Sequence, residues 1–371
     1  MSLQVTQSEI NLREKLVENK QRYGIKGKQL LEADLINEVR SLIGADNKNL
    51  IINGNFDIWQ RGINQTSYSG IGADDRWRNV IIGSTQQVTR ESFSPGQTEV
   101  SGNPKYYSKT VANSVLAAGN LITKRQKIES VKTFAGQTVT LSFWAKADSP
   151  KNIATEFRQH FGNGGSPSSP ILAIGVTTHN LTTDWKKFVA TSYIPNIEGK
   201  TLGTDNDDTI QMMFWFDAGA NHDYRTNSLG QQSGIFDIAQ VQLEYGDQAT
   251  EFEQRSINTE LKLCQYYYQK SYNMDTDPGT ATHLGAIFDY ATRNTSNNGV
   301  GASFKTKMRT IPSVTLFSST TGTIGKIANS SNGDINATAG FIGEKGWSLT
   351  STSGGVSAQG ASFHYIADAE L

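Results

Sequence analysis

Chemistry needs particular side chains at particular spacings, and this sequence offers few such sets. Its five histidines (His160, His179, His222, His283 and His364) are scattered, with none of the i, i+4 spacing that lets two imidazoles share a zinc ion. No Gly-x-Ser-x-Gly turn exposes a serine nucleophile. The single cysteine, Cys264, lies in an amphipathic stretch and reads as a buried thiol; one cysteine also excludes an intrachain disulfide framework. The strongest local acidic cluster is Asp74-Asp75, followed by Arg76-Trp77, which reads as a turn carrying an Asp–Arg pair. Asp205-Asn206-Asp207-Asp208 lacks the glycine and distant glutamate of an EF-hand and reads as a turn. The glycine-rich stretch Phe161 to Pro170 lacks the lysine and following helix of a phosphate-binding loop. A carboxylate pair able to cleave a glycosidic bond is a matter of three-dimensional separation, which spacing along the chain does not show.

What is left is the chemistry of surfaces. Trp59, Trp77, Trp144, Trp185 and Trp215 lie in or near segments that read as strands. A tryptophan in such a place is ordinarily core, but an exposed ring also offers a negative face to the C–H groups of a sugar. Trp144 stands apart. In Thr138 to Ala147 the residues Val139, Leu141, Phe143 and Ala145 take one face, and Thr140, Ser142, Trp144 and Lys146 the other. On that otherwise polar face Trp144 is either a ligand platform or a subunit contact. Trp144, Trp77 and Trp59 are the glycan-binding candidates.

The elements that must position these residues are mostly strands. The chain has 371 residues, enough for two or three domains, with 36% hydrophobic residues and 35 glycines. That composition suits thin β-sandwiches with polar outer faces, not a large helical core. The net charge is −1 and no basic block occurs, which argues against a nucleic-acid groove. No apolar run approaches the ~18 residues a membrane span needs, and no signal peptide is read at the N-terminus.

Residues 1–47 read as a helical arm. One helix covers Thr6 to Arg22, with Ser8 as N-cap. A second runs from about Lys28 to Ile43, with Leu31, Leu35, Val39, Leu42 and Ile43 on one face and Gly44 closing it. Short helices are marginal alone, so the arm either packs on the β-domain of its own chain or bundles with copies and docks on a larger assembly. Residues 48–254 carry eight or so alternating runs, among them Leu50 to Ile52, Trp77 to Ile82 and Ile210 to Asp217, which indicate a jelly-roll β-sandwich. Gly234 to Lys270 is the joint: a last strand from Ile235 to Leu243, a turn and crossing segment from Glu244 to Gln254, and from Ser256 to Lys270 either a short helix or a helix that unwinds into an aromatic strand. Residues 255–371 read as a small β-sandwich. The fold class is mainly β.

Three sets of residues carry a resemblance. Asn49-Leu50-Ile51-Ile52-Asn53-Gly54-Asn55-Phe56-Asp57, Leu141 to Ala147 and Phe236 to Glu244 resemble strands of jelly-roll carbohydrate-binding modules. Asn53 to Gly62, Ala73-Asp74-Asp75-Arg76-Trp77 and the joint from Gln242 to Tyr267 together resemble phage and prophage tail-fibre proteins, as do Phe304 to Leu316 and the ending Phe363 to Leu371. The first resemblance implies a structural calcium ion held by an acid after the first strand and an Asp in the last, positions taken here by Asp57 and Asp237. Asp57 stands where the modules usually have glutamate, and the other reading is of two strand-end acids in solvent.

The second resemblance implies a homotrimer attached to a virion tail or baseplate protein through the arm, with a C-terminal tip that adsorbs to a bacterial surface polysaccharide or receptor. On that reading Leu261, Leu263, Tyr266, Tyr267 and Tyr268 meet their copies around a threefold axis, with Met308 and Tyr365 as core or interface residues of the tip. The expected function is non-enzymatic host adsorption by a virion protein, without membrane insertion. The alternative is a tailspike depolymerase that cuts the polysaccharide. A cellular carbohydrate-binding module is a third reading, which would call for a secretion route.

Overall fold

The computed structural model describes residues 48–66, 69–289, 301–352 and 360–371. The expected N-terminal arm lies outside the described residues. The first part of the chain forms twelve strands: β1 (Asn64–Thr66), β2 (Gly70–Ile71), β3 (Trp77–Ile82), β4 (Thr85–Ser92), β5 (Tyr106–Asn113), β6 (Leu121–Glu129), β7 (Thr138–Ala147), β8 (Lys151–His160), β9 (Ile171–Leu181), β10 (Lys186–Tyr193), β11 (Thr209–Ala218) and β12 (Gly234–Tyr245). They build two six-stranded antiparallel sheets, which we call the front sheet, in the order β1-β4-β5-β12-β7-β10, and the back sheet, in the order β2-β3-β6-β11-β8-β9. Connections repeatedly cross from one sheet to the other, as in a jelly roll, and both inner faces contribute to one core.

The alternation read in Thr138 to Ala147 holds: Val139, Leu141, Phe143 and Ala145 are buried inside. They meet Ile122, Phe157, Ile210, Met212 and Phe214 of the back sheet, and Phe143 packs edge-on to Phe214 with centroids 4.9 Å apart. Strands β4, β5 and β8 are not legible as strands. Their sequences, TQQVTRES, YYSKTVAN and KNIATEFRQH, place few strong apolar residues at alternate positions.

The expected first strand, Leu50 to Ile52, is instead the start of a turn. Three features make it one. The Arg255 guanidinium donates to the carbonyls of Asn49 and Ile51, taking up the backbone groups a ladder would use. Asn53 adopts a left-handed conformation (φ 57°). Gly54 passes so close to β12 that a Cβ there would lie 2.1 Å from the Val241 carbonyl oxygen. The Asn53 side chain then ties the turn together, donating to Ile58 O at 2.8 Å and Asp75 O at 3.1 Å and accepting from Ile58 N at 2.9 Å.

Beyond β12 the chain crosses over Thr140, whose hydroxyl donates to Gly246 O at 2.8 Å. A short helix, α1 (Asp223–Thr226), precedes β12, and α2 (Ile257–Gln265) follows it. Ser256 caps α2, accepting from Thr259 N at 3.2 Å. The chain then unwinds into β13 (Tyr268–Lys270), the second of the two readings from the sequence. Strands β14 (Ile287–Asp289), β15 (Gly301–Ser303), β16 (Ser313–Ser318), β17 (Lys326–Asn329), β18 (Asp334–Gly343), β19 (Gly346–Thr352) and β20 (Ala361–Asp368) complete the C-terminal part. Strand β20 is its organiser, pairing with β13, β14, β16 and β17. Met308, Phe363 and Tyr365 lie in its core.

Inside the sandwich, Lys124 of β6 points inward and is ion-paired with Asp74, both fully buried. Burial pushes the Asp74 carboxyl up and the Lys124 ammonium down, against their mutual attraction. Removing one partner strands the other charge, which typically costs about 3–5 kcal/mol. Lys124→Met should therefore lower the urea midpoint steeply. The double variant Lys124→Met with Asp74→Asn should recover most of the loss; an equally unstable double variant would show that the pair is not the source.

Candidate functional site

The sequence candidates divide sharply by exposure. Trp59 and Trp77 are withdrawn from the ligand surface. They are 1% and 0% exposed. Trp59 Nε1 donates to Phe56 O at 2.6 Å, and Trp77 Nε1 to Asn53 O at 3.1 Å. Trp77 also stacks on Phe56 with centroids 5.3 Å apart. Both rings fix the turn that opens the sandwich and present no face to a sugar.

Trp144 remains. It lies half-buried on the outer face of the front sheet, beside an aromatic cluster of Phe93, Tyr107 and Trp185 around Val100 and Ala239. Ring centroids in the cluster are 4.8 Å apart for Phe93–Tyr107, 5.2 Å for Phe93–Trp185 and 5.3 Å for Tyr107–Trp185. Lys187 is the cross-strand partner of Trp144, and Lys146 Nζ lies 5.2 Å from the Trp185 ring centre. A bulge in β12, with Gln240 at φ 48°, lets Gln240 donate to Ser101 O at 2.8 Å and so anchor the loop that borders the cluster. The result is a rigid aromatic ledge with amines beside it. Sequence pattern pointed to Trp144; Phe93, Tyr107 and Trp185 come from strand ends and loops whose convergence no local spacing announces.

Asp237 faces the same side. Burial pushes its carboxyl up to about 6, partly opposed by Lys109 and Lys146 and reinforced by Glu91 and Asp148. Asp57 is also pushed up by burial, and it answers to Asn55, Lys105 and Arg90. Each acid thus already faces cationic side chains, and their charge environments are different. Among the described residues no group of three or more His, Cys, Asp or Glu side chains is placed to hold a metal ion. Asp237 Oδ1 is buried without a hydrogen-bond partner, and Asp57 accepts from Asn55 Nδ2 at 2.9 Å; a calcium ion at these acids would draw its remaining ligands from carbonyl oxygens.

The joint gathers the other motif residues. Arg61 lies over the Tyr268 ring, 3.6 Å from its centre, and Arg76 over Tyr267 at 3.3 Å. Arg61 is 3.7 Å from Asp75 and 3.3 Å from both Asp368 and Glu370, and Arg76 is ion-paired with Glu370. The Gln60 amide donates both ways, to Asp75 at 2.5 Å and to Tyr268 O at 3.0 Å. The expected Asp75–Arg76 turn pair is therefore replaced: Asp75 serves Arg61, and Arg76 serves Glu370.

Tyr267, Tyr268, Met308 and Tyr365 are 5%, 2%, 0% and 3% exposed within one chain. The sequence expectation places the two consecutive tyrosines against their copies across a threefold axis; within one chain they meet arginines of that chain. Of the two alternatives read for Met308 and Tyr365, core or interface, both residues lie in the core of the C-terminal part. Leu261, Leu263 and Tyr266 stay partly exposed; Leu263 and Tyr266 line an open groove of ≈ 500 Å³ with Ile52 and Thr306. Cys264 is buried, and burial pushes its thiol well up, away from nucleophilic use.

No protein-family model and no curated protein matches the chain. Solved structures do. A CBM4 structure is 19% identical, with 52% of this chain and 98% of that one covered at a TM-score of 0.28. The family 11 carbohydrate-binding module from Clostridium thermocellum, in complex with a β-1,3-1,4-mixed-linked tetrasaccharide, is 12% identical, covering 49% and 96% at 0.29. The enzymatically active domain of tailspike protein 4 from bacteriophage CBA120 is 14% identical, covering 53% of this chain and 21% of that one at 0.31. Likenesses at these scores say nothing of ligand or reaction.

The two acids can be tested separately from the ledge. A native carboxyl raised to about 6 against an unfolded value near 3.9 binds more protons folded than unfolded between those values. Its contribution to stability therefore falls as pH rises from about 4 to 6 and is level above. Asp237→Asn should stabilise the protein at pH 7, by roughly 1–3 kcal/mol, and not at pH 4, as read from urea midpoints at the two pH values. Calcium is tested by melting: a higher melting temperature in millimolar calcium than in a chelator would support the ion the resemblance implies, and equal values would remove it.

Proposed function

We propose that this chain is a non-catalytic glycan-binding protein of the tail-fibre kind, which adsorbs to bacterial surface polysaccharide through its jelly-roll domain. The observation that carries the reading is the ledge around Trp144. An indole face held by packed aromatics, open on one side and flanked by amines, suits stacking against a sugar ring with hydrogen bonds to its hydroxyls. The sandwich supplies a stiff frame, so little ordering is needed on binding.

Binding rather than cleavage is supported by how four of the buried carboxylates are used. Glycoside hydrolysis takes two carboxyl groups facing each other across the sugar. Here Asp74 is paired with Lys124, Asp75 with Arg61, Glu156 with Arg225, and Glu260 with Arg255. The attachment of residues 1–47 to a virion tail or baseplate protein, and a homotrimer, belong to the same proposal and rest on the tail-fibre resemblance. Partly exposed Leu261, Leu263 and Tyr266, with exposed Ile311 and Phe341 in the C-terminal part, offer apolar surface for association. Several weak sites in one trimer would then act together by avidity.

Trp144→Ala tests the reading. Titrated with fragments of host surface polysaccharide, the variant should bind at least about tenfold more weakly, the equivalent of ~1.4 kcal/mol, with an unchanged melting temperature. Equal affinity would remove the ledge from the function. Oligosaccharides released from the intact polymer would favour the depolymerase instead, and a monomeric mass in light scattering would remove the trimer.

A further inference from the structure

The outer face of the back sheet carries a different chemistry. Its residues alternate outward from four strands and do not join the main core. Leu121, Ala154, Met213 and Trp215 form a separate apolar patch there, which Val80 and Leu229 border. Around that patch stand Arg78 of β3, Arg125 and Lys127 of β6, Arg158 of β8, and Arg225 of α1. Arg78 and Arg125 are direct cross-strand partners. One row further along, Lys127 and Arg158 flank Gln211 from either side. The grid spacing is that of the sheet itself, ~4.8 Å between strands and ~7 Å between alternate residues.

Few acids answer these cations. Glu156 is fully engaged: it accepts from Arg225, from Trp215 Nε1 at 3.1 Å and from Ala173 N at 3.0 Å. Glu129 faces Tyr267 at the joint, and Asp207, which accepts from Asn163 N at 2.8 Å, partly offsets the repulsion on Lys127 and His160, as Glu156 does on Arg125 and Arg158. Among the described residues, Arg78, Arg125, Lys127 and Arg158 have no salt bridge, and the buried Nε atoms of all three arginines have no hydrogen-bond partner. Arginines directly opposite each other on a sheet destabilise it, and these are kept partly buried as well. The positive field is visible in its effect on neighbours. Burial first, and then Arg78, Arg158 and Arg225, push Arg125 down to about 10. Burial, Arg125 and Arg78 push Lys127 down to about 8. His160, at the end of the row, is held low by burial and by Arg158 and Lys127.

We propose that this face is a second ligand surface, separate from the Trp144 ledge, which binds a polyanionic glycan by presenting Arg78, Arg125, Lys127 and Arg158 to its carboxylate, sulfate or phosphate groups. Guanidinium forks suit such groups because they donate two parallel bonds to a planar or tetrahedral oxyanion. A repeating acidic polymer fits better than a single anion, because the cations are spread over three strands instead of converging on one point. Nucleic acid fits less well. Sheets that bind single strands stack bases on exposed aromatic rings, whereas Trp215 is 0% exposed and lies under Arg225, whose guanidinium is 4.7 Å from the ring centre. The floor between the cations is Met213 and Gln211.

The experiment uses the full chain and polymers that differ only in charge: dextran, dextran sulfate and carboxymethyl-dextran immobilised on a sensor. Binding to at least one charged dextran and not to dextran is expected, weakening steeply with salt as counterions are released. The double variant Arg125→Gln with Arg158→Gln should lose tenfold or more in affinity with a flatter salt dependence. Lys186→Gln with Lys345→Gln, cations elsewhere on the surface, should change nothing. Either charged dextran identifies the preferred oxyanion. Wild-type binding unchanged in the arginine double variant, or no binding to either charged dextran at low salt, would overturn the proposal. Tighter binding to single-stranded DNA of equal charge would reassign the face to nucleic acid. Should the double variant unfold, Lys127→Gln alone, a milder change on the same row, should still weaken binding severalfold. Failure here leaves the Trp144 reading untouched, because that ledge lies on the opposite sheet.

Discussion

Two arginines lying on two consecutive tyrosines hold the two halves of this protein together. Arg61 and Arg76 come from the segment that opens the sandwich; Tyr267 and Tyr268 come from the turn that ends α2 and starts β13. Burial alone would push Arg61 down, but Glu370, Asp75 and Asp368 outweigh it and hold the guanidinium firmly charged. Because Glu370 is next to last in the chain and also pairs with Arg76, the first described turn, the joint and the C-terminal end close on one another. An arrangement of this kind is costly unless every partner is present. The C-terminal part therefore does not hang on a flexible tether: its position relative to the sandwich is set by buried charge and cation–π contacts.

That closure brings several of the sequence motifs into contact. Asn53 to Gly62, Ala73 to Trp77, the joint and the last residues are a set in the sequence through their resemblance to tail-fibre proteins. In the fold they touch. Asn53 bonds to Ile58 and Asp75, Gln60 bridges Asp75 and Tyr268, and Asn53 N donates to Glu260 of α2. The motifs thus mark architecture. The two surfaces proposed to meet a ligand, centred on Trp144 and on Arg125, lie outside them.

Legibility follows the same division. Strands with strong apolar alternation, such as β3, β7 and β12, can be read directly because burial on one face dictates period two, and β11 can be read as an apolar run buried along its whole length. Strands β4, β5 and β8 cannot, because their core-facing rows are partly polar: Gln86, Ser108 and Thr155 are buried on the same side as Val88, Ala112 and Phe157. Tyrosines 266 to 268 are legible as a packing site, but not their partners: sequence does not show that an arginine 190 or more positions earlier lies on the ring. The burial of Trp59 and Trp77 is the ordinary expectation for tryptophan, and it prevails over the possibility of a sugar platform. Trp144 is legible because its side of the strand is otherwise polar.

The cationic face is hidden for a further reason, which bears on how charge is distributed along a β-chain. No block of lysine and arginine occurs here, and the net charge of −1 gives no hint. A sheet can nevertheless assemble a basic surface from single residues, because alternation turns every second side chain outward and antiparallel pairing brings distant strands into register. Arg78, Arg125, Lys127 and Arg158 are separated by up to 80 positions, yet they occupy three strands of one sheet with only β11 between β6 and β8. On that face Glu156 is committed to Arg225, and other acids are gathered at the joint, where Asp75, Asp368 and Glu370 face Arg61 and Arg76. A near-neutral chain can thus offer two faces of different character, and a sandwich, having two outer faces joined by one core, is an architecture in which they can be changed independently.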